Sequence, residues 1–320
     1  MTRPFVRPDV RAYLDQMKVQ PRPPMNDETI AMMRKIPPEL MAQMLTALDR
    51  PVGELGTDQT LEMPGPGGSI QLRLFDPRAE RAAGPVVVFY HGGGFVVGSI
   101  GTHAPLAAEI ARGLDLPVIS VEYRLAPEHK WPAAPDDAEA ATRWIAENAA
   151  AFGREFTHLI LCGDSAGGNL TIATALALRD RPAPLPLLMQ IPLYPRTDAS
   201  IETDSLKAFG SEEFGLNATD MAYFEKAYAA SPTDPRHSVT LADQTGLPPT
   251  LIVTAALDPL RDEGRAYAAK AIQAGVNVTY REFPGTIHGF CTFRQAIPSA
   301  HDDLAAILSL AKAMVAEALA

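Results

Sequence analysis

Residues 158–178 read HLILCGDSAGGNLTIATALAL, and this stretch decides the fold. His158–Cys162 is a short, mostly apolar run, the pattern of a strand covered on both faces. Ala166–Leu178 is small, apolar and of a length that suits a helix. Only a sharp turn fits between them. There stands Gly163-Asp164-Ser165-Ala166-Gly167, a match to G-x-S-x-G in the strand–turn–helix context that gives the pattern meaning. The turn is too tight for bulky side chains, hence the flanking glycines. It lifts the Ser165 hydroxyl above the sheet, and the helix behind aims its positive N-terminal end at the same point. Ser165 is therefore a candidate nucleophile.

Working outward, strands and helices alternate. Ile70, Leu72 and Leu74 alternate with Gln71 and Arg73 as a half-buried strand. Val86–Tyr90 is wholly apolar and reads as a covered strand, as do Pro117–Val121, Leu185–Tyr194 and Thr250–Ala256; Val276, Val278 and Tyr280 alternate as a last strand. Helical stripes run through Leu106–Leu114, Ala138–Ala149, Asp262–Ala274 and Leu304–Val315. This alternation predicts an α/β fold with a mostly parallel central sheet and helices on both faces. Residues 196–240 interrupt it between two core strands. So long a connection usually has a job, and it reads as a helical insertion over the active site. Residues 1–50 are helical and amphipathic, broken by Pro21, Pro23, Pro24 and Pro37-Pro38. Their Met32, Met33, Leu40, Met41, Met44, Leu45 and Leu48 read most simply as core packing, with a Met-rich lid as the alternative. The expected division is 1–50 as the N-terminal part of a helical cap, and 51–320 as the main domain carrying the cap insertion at about 196–240.

A serine hydroxyl needs a base. Of seven histidines, only His237, His288 and His301 follow Ser165, as the chain order nucleophile–acid–histidine of a G-x-S-x-G elbow requires. His237 falls in the insertion and His301 opens the last helix. His288 sits in FPGTIHGF, a loop between the last strand and the last helix, where an imidazole can reach the rim of the sheet. A carboxylate must orient that imidazole. Asp258 follows the strand TLIVTAAL at its carboxyl end, where sites in open α/β sheets lie. Asp262 and Glu263 are rivals, but acidic residues there also suit the first turn of the next helix. Acyl transfer further needs donors for an oxyanion. His91-Gly92-Gly93-Gly94-Phe95 directly follows VVVFY, and the expected donors are the amides of Gly93, Gly94 and Ala166. His91 is expected to anchor this loop rather than act as a base. No Lys-Ser/Thr follows the glycines, so a phosphate loop is excluded.

Composition narrows the classes. A net charge of −10 argues against a nucleic-acid partner. No stretch approaches the length of a membrane span, and the N-terminus shows no signal-peptide pattern. Two cysteines, Cys162 and Cys291, are too few for a disulfide framework; reduced, buried thiols in a cytoplasmic protein are expected. No zinc-type Cys/His spacing is present.

HGGGF (91–95), YRLAPEHKWPAAPDD (123–137), GDSAGGN (163–169), DPLRDEG (258–264) and HGF (288–290) together resemble the hormone-sensitive-lipase family of bacterial esterases, nearest its GDSAG subgroup. The resemblance covers about residues 60–320 and implies the α/β-hydrolase fold. It implies Ser165 as nucleophile, Asp258 as acid and His288 as base, with Gly93, Gly94 and Ala166 as the oxyanion hole. It also implies that Gly92 shapes the loop, and that Asp164 and Glu128 are structural supports near the site. It further implies a helical cap, small-molecule ester substrates of short to medium chain, no cofactor or metal, and homodimers through the edge of the last strand. The same triad serves amidases, lactonases and deacetylases. A ligand-binding protein on this scaffold is a further rival, disfavoured because His288 is present.

Overall fold

The computed structural model describes residues 4–20 and 22–320. Residues 1–3 of the N-terminal segment and Pro21 of its proline cluster lie outside the described residues. Three helices come first, α1 (Pro8–Val19), α2 (Asp27–Met33) and α3 (Pro38–Leu45). There follow β1 (Thr57–Gly65), β2 (Gly68–Asp76), β3 (Gly84–Tyr90), α4 (Ile100–Leu114), β4 (Val118–Val121) and α5 (Ala133–Glu147). Next come β5 (Phe156–Asp164), α6 (Ala166–Asp180), β6 (Leu187–Leu193), α7 (Asp204–Phe209) and α8 (Ala218–Tyr228). The chain ends with β7 (Thr250–Leu257), α9 (Arg261–Gln273), β8 (Val278–Ile287) and α10 (Ser299–Ala318).

The eight strands form one sheet in the order β1-β2-β4-β3-β5-β6-β7-β8. β1 and β2 pair antiparallel, β2 runs antiparallel to β4, and β4 through β8 are parallel. This is the α/β-hydrolase fold. The apolar runs account for the parallel part: β3 and the middle of β5 are buried on both faces, which the helices on either side require. β1 has no counterpart among the strands read from sequence. It lies at the edge of the sheet and alternates half-buried with exposed residues, so few of its side chains report on a core. Val276 lies before β8 rather than in it.

The N-terminal segment is the main correction. Met32, Leu40 and Met44 are 52%, 48% and 55% exposed, so the stripe read as core packing is only partly packed. The cause is length: α2 and α3 are 7 and 8 residues long and lie on the outside, where little of each can reach the body. Met33 and Leu48 do pack inward. α1 buries Val10, Tyr13 and Leu14. The segment also meets the insertion: Asp220 accepts from the Met25 N–H at 3.1 Å, and Tyr223 donates to Asp27 at 2.9 Å. The two ends of the insertion are pinned together on α6, where Asn169 Nδ2 donates to the carbonyls of Arg196 (2.8 Å) and His237 (2.6 Å).

Where the N-terminal segment rejoins the sheet, Arg294 donates from Nε (2.6 Å) and Nη2 (2.8 Å) to Asp49, with the Arg294 side chain 0% exposed. Removing Asp49 leaves this buried charge with only Glu109, 3.7 Å from Nη1, to balance it among the described residues. Asp49→Ala is therefore expected to destabilise the protein by about 3–5 kcal/mol in urea unfolding; a loss under about 1 kcal/mol would contradict that role.

Candidate active site

The turn between β5 and α6 is built by exclusion. A Cβ on Gly167 would overlap the Tyr90 carbonyl oxygen, and one on Gly163 would overlap the carbonyl of Gly167. The first turn of α6 can thus sit against the ends of β3 and β5. Ser165 takes φ +54° and ψ −115°, a conformation that L-residues rarely hold. Such strain costs on the order of 1–3 kcal/mol and persists only when the surroundings over-determine it. Here they do: the Ser165 N–H donates to the Leu193 carbonyl of β6 at 2.9 Å, and its carbonyl accepts from Asn169 N (3.1 Å) and Arg196 N (3.3 Å).

The structure brings Ser165, His288 and Asp258 together. His288 Nε2 lies 2.8 Å from Ser165 Oγ, and His288 Nδ1 lies 2.7 Å from Asp258 Oδ2. Asp258, just beyond β7, is fully buried, and its Oδ1 accepts from the Leu260 N–H at 2.8 Å. Burial opposes a charge on His288, but attraction to Asp258 outweighs it and raises the imidazole above its ordinary pKa. The Tyr194 ring packs edge-on against His288, with centroids 5.1 Å apart. The rivals are engaged elsewhere. Asp262 accepts from Ser205 N at 2.9 Å and pairs with Arg261. Glu263 accepts from Asp198 N at 2.7 Å. His237 bonds Glu225, and His301 sits in the first turn of α10.

Opposite the imidazole, the loop after β3 turns at Gly93 (φ +121°) and Gly94 (φ +60°), conformations that favour glycine. Gly93 spends its carbonyl on the N–H groups of Val96 (3.0 Å) and Val97 (2.9 Å). Among the described residues, the N–H groups of Gly93, Gly94 and Ala166 have no hydrogen-bond acceptor. Asp164 ties this loop to the elbow: its Oδ1 accepts from Gly92 N at 2.8 Å, and a side chain at Gly92 would crowd the carboxylate. His91 is fully buried and lies 4.2 Å from Tyr123 in a stacked pair; its Nδ1 is 2.8 Å from the Gly92 carbonyl. Burial pushes its pKa down to about 3, so it is neutral.

Sequence reading missed the group behind Asp164. His103 of α4 places Nε2 3.4 Å from Asp164 Oδ1. Burial opposes charge on both, but their mutual attraction wins, raising the His103 pKa and lowering that of Asp164. Glu122, also missed, accepts from the Ile100 N–H at 2.7 Å and steadies the start of α4. Glu128 acts through Arg34. It is exposed and bonds Arg34 at 3.1 Å, while Arg34 also donates to the carbonyls of Val96 (2.7 Å) and Ala126 (3.1 Å). Glu128 thus holds the N-terminal segment to the loop beyond the glycines and touches neither Ser165 nor His288.

Two cavities meet at Ser165. The larger, about 200 Å³, is lined by His288, His103, Tyr13, Met17 and Phe293. The smaller, about 50 Å³, is lined by Ala166, Phe95, Leu260, Tyr228, Arg196 and Glu225. Phe224 of α8 borders both. Among the described residues, no cluster of His, Cys, Asp and Glu could hold a metal ion.

A serine lifted off β5 toward a histidine beyond the last strand is the architecture of an α/β hydrolase, and comparison with known proteins makes this specific. Residues 87–292 match the family described as alpha/beta hydrolase fold. The carboxylic ester hydrolase LipN of Mycobacterium tuberculosis is 42% identical over 245 residues, 73% of this chain and 64% of LipN, so the chain spans just under two thirds of that relative. Carboxylesterase NlhH of the same organism is 38% identical over 273 residues, 83% of this chain and 82% of NlhH. The ester-hydrolase EH1AB1 from the metagenome of Lake Arreo, solved with a bipyridine phosphonate derivative, is 37% identical and superposes with a TM-score of 0.86 over 98% of this chain and 99% of its own. The chain belongs to the hormone-sensitive-lipase-like family of α/β hydrolases, whose members include carboxylic ester hydrolases.

If Asp164 holds the glycine loop in register, Asp164→Ala leaves Gly92 N and His103 without their partner. The expected outcome is a fall in kcat of about 10²–10³, the worth of one oxyanion donor, with a smaller change in KM. An unchanged kcat in a folded variant would contradict the clamp.

Proposed function

We propose that this protein is a carboxylesterase in which Ser165, His288 and Asp258 act as a catalytic triad on esters of short acyl groups. The observation that carries this reading is the hydrogen-bond chain from Ser165 Oγ through His288 to Asp258, facing the free N–H groups of Gly93, Gly94 and Ala166. His288 Nε2 takes the Ser165 proton as Oγ attacks the carbonyl carbon. The three N–H groups receive the oxyanion, and the imidazolium, paired with Asp258, gives its proton to the leaving alcohol. Water then attacks the acyl-enzyme, with His288 as base, and releases the acid.

The position of His288 orients the substrate. The leaving oxygen must face Nε2, so the alcohol lies in the larger cavity, which His288 lines. The acyl group then occupies the smaller one, beside Ala166 and away from the imidazole. About 50 Å³ is a few times the roughly 10–15 Å³ that one water needs by the same measure, which suits an acyl tail of a few heavy atoms. α8 serves as the cap over both cavities, and α1 closes the larger one. Two buried free thiols, Cys162 and Cys291, suit a cytoplasmic protein. The outer edge of β8, which has no strand neighbour among the described residues, suits pairing with a second copy.

Hydrolysis of p-nitrophenyl acetate, butyrate, octanoate and palmitate tests the reading. Acetate and butyrate are expected to turn over fastest. Ser165→Ala is expected to lose kcat by a factor on the order of 10⁶. Palmitate as the best substrate would contradict the acyl assignment, and an active Ser165→Ala would contradict the nucleophile. The pH dependence follows from His288. Its neutral form is the base and its pKa is raised, so kcat/KM is expected to fall as pH drops through a midpoint above the ordinary histidine value. Asp258→Asn removes that attraction. It is expected to cost about 10⁴ in kcat and to move the midpoint down; an unmoved midpoint would contradict the pairing.

A further inference from the structure

The smaller cavity is not a plain apolar slot. Phe95 and Leu260 line it, and so do Arg196 and Glu225. Arg196 donates from Nε to Glu225 Oε1 at 3.1 Å, and its Nη2 lies 3.0 Å from the same oxygen; its Nη1 donates to Glu263 Oε1 at 3.1 Å. Glu225 Oε2 is 2.9 Å from His237 Nε2. A guanidinium carries five N–H groups, so these contacts leave an N–H on each Nη without an acceptor among the described residues. Glu225 keeps spare lone pairs, and a third of its side chain is exposed.

A second observation points to the same cavity. Tyr228 lines it, is 1% exposed and stacks on Phe95 at 4.0 Å. Its hydroxyl has no hydrogen-bond partner among the described residues. A buried hydroxyl left unpaired calls for an explanation; it is closed off in this structure, so a polar group of the substrate would meet it only after the ring shifts. Resting on the esterase reading, we propose that this cavity is an acyl subsite for short acyl groups bearing a hydroxyl beyond the α-carbon, so that the preferred substrates are esters of small hydroxy acids.

Charge excludes the nearest alternatives. A carboxylate on the acyl group would meet Glu225 beside Arg196. An ammonium would have to shed its water in a cavity that already holds a paired guanidinium. Burial pushes Glu263 up to about 7 against the attraction of Arg196, and the guanidinium is paired with both Glu263 and Glu225. A hydroxyl brings no charge. It both accepts, from Arg196 or Tyr228, and donates, to Glu225.

The test is kcat/KM for ethyl butyrate, ethyl 3-hydroxybutyrate, ethyl 4-hydroxybutyrate and ethyl 3-oxobutyrate, followed by pH-stat in the wild type, Glu225→Gln and Tyr228→Phe. One hydroxy ester is expected to exceed butyrate by about tenfold, the worth of roughly one net hydrogen bond. It is expected to exceed the oxo ester too, which can only accept. The ratio to butyrate is expected to fall severalfold toward one in both variants. Butyrate equal to or better than both hydroxy esters overturns the proposal, as does an equal rate on the oxo ester or a ratio that survives both substitutions. No turnover of any ester by the wild type would instead overturn the esterase reading, and this inference with it.

Discussion

Gly167 comes so close to the Tyr90 carbonyl that no side chain fits between them, and much of the site follows from that contact. It seats α6 against the ends of β3 and β5, forces the chain to reverse at one residue, and leaves Ser165 in a strained conformation. The strain is held by burial. α6 is covered on nearly every side, from Ala166 to Leu178, so its small residues are a packing requirement rather than a matter of helix propensity. The same contact brings the loop after β3 beside the elbow, which is why hydrogen-bond donors from two distant stretches of chain converge on one point.

Buried carboxylates then fix what the backbone brings together. Asp164 holds the glycine loop through Gly92 and is itself balanced by His103. Asp258 holds His288 and is held by Leu260 N. Each acid satisfies a backbone N–H and faces a histidine, so neither is an unpaired buried charge. Asn169 plays the neutral counterpart, closing both ends of the long connection between β6 and β7 onto α6. The insertion is thereby anchored to the same helix that carries Ser165 at its N-terminal end.

The fold and the residues that the structure gathers around Ser165 were legible because each has a local signature. Apolar strands covered on both faces, the elbow glycines and the glycine loop announce themselves within a few residues. β1 has no such signature, because an edge strand buries little and its alternation is polar. The Met32–Met44 stripe misled for the converse reason: helical spacing of apolar residues marks a face but not a partner for it. His103 on α4, Glu122 after β4, Arg196 after β6, and Glu225 with Tyr228 on α8 are far apart in the chain, and only tertiary structure brings these stretches together. Glu128, placed near the site by resemblance, holds the N-terminal segment through Arg34.

The central claim is that Ser165 is a nucleophile activated by His288. The most direct measurement is intact-mass and peptide mapping after treatment with a small fluorophosphonate, which reacts far faster with an activated serine than with other side chains. The account predicts one adduct per chain, on the peptide containing Ser165, formed at a rate that falls with His288 protonation. Labelling elsewhere, or none in a folded protein, would contradict it.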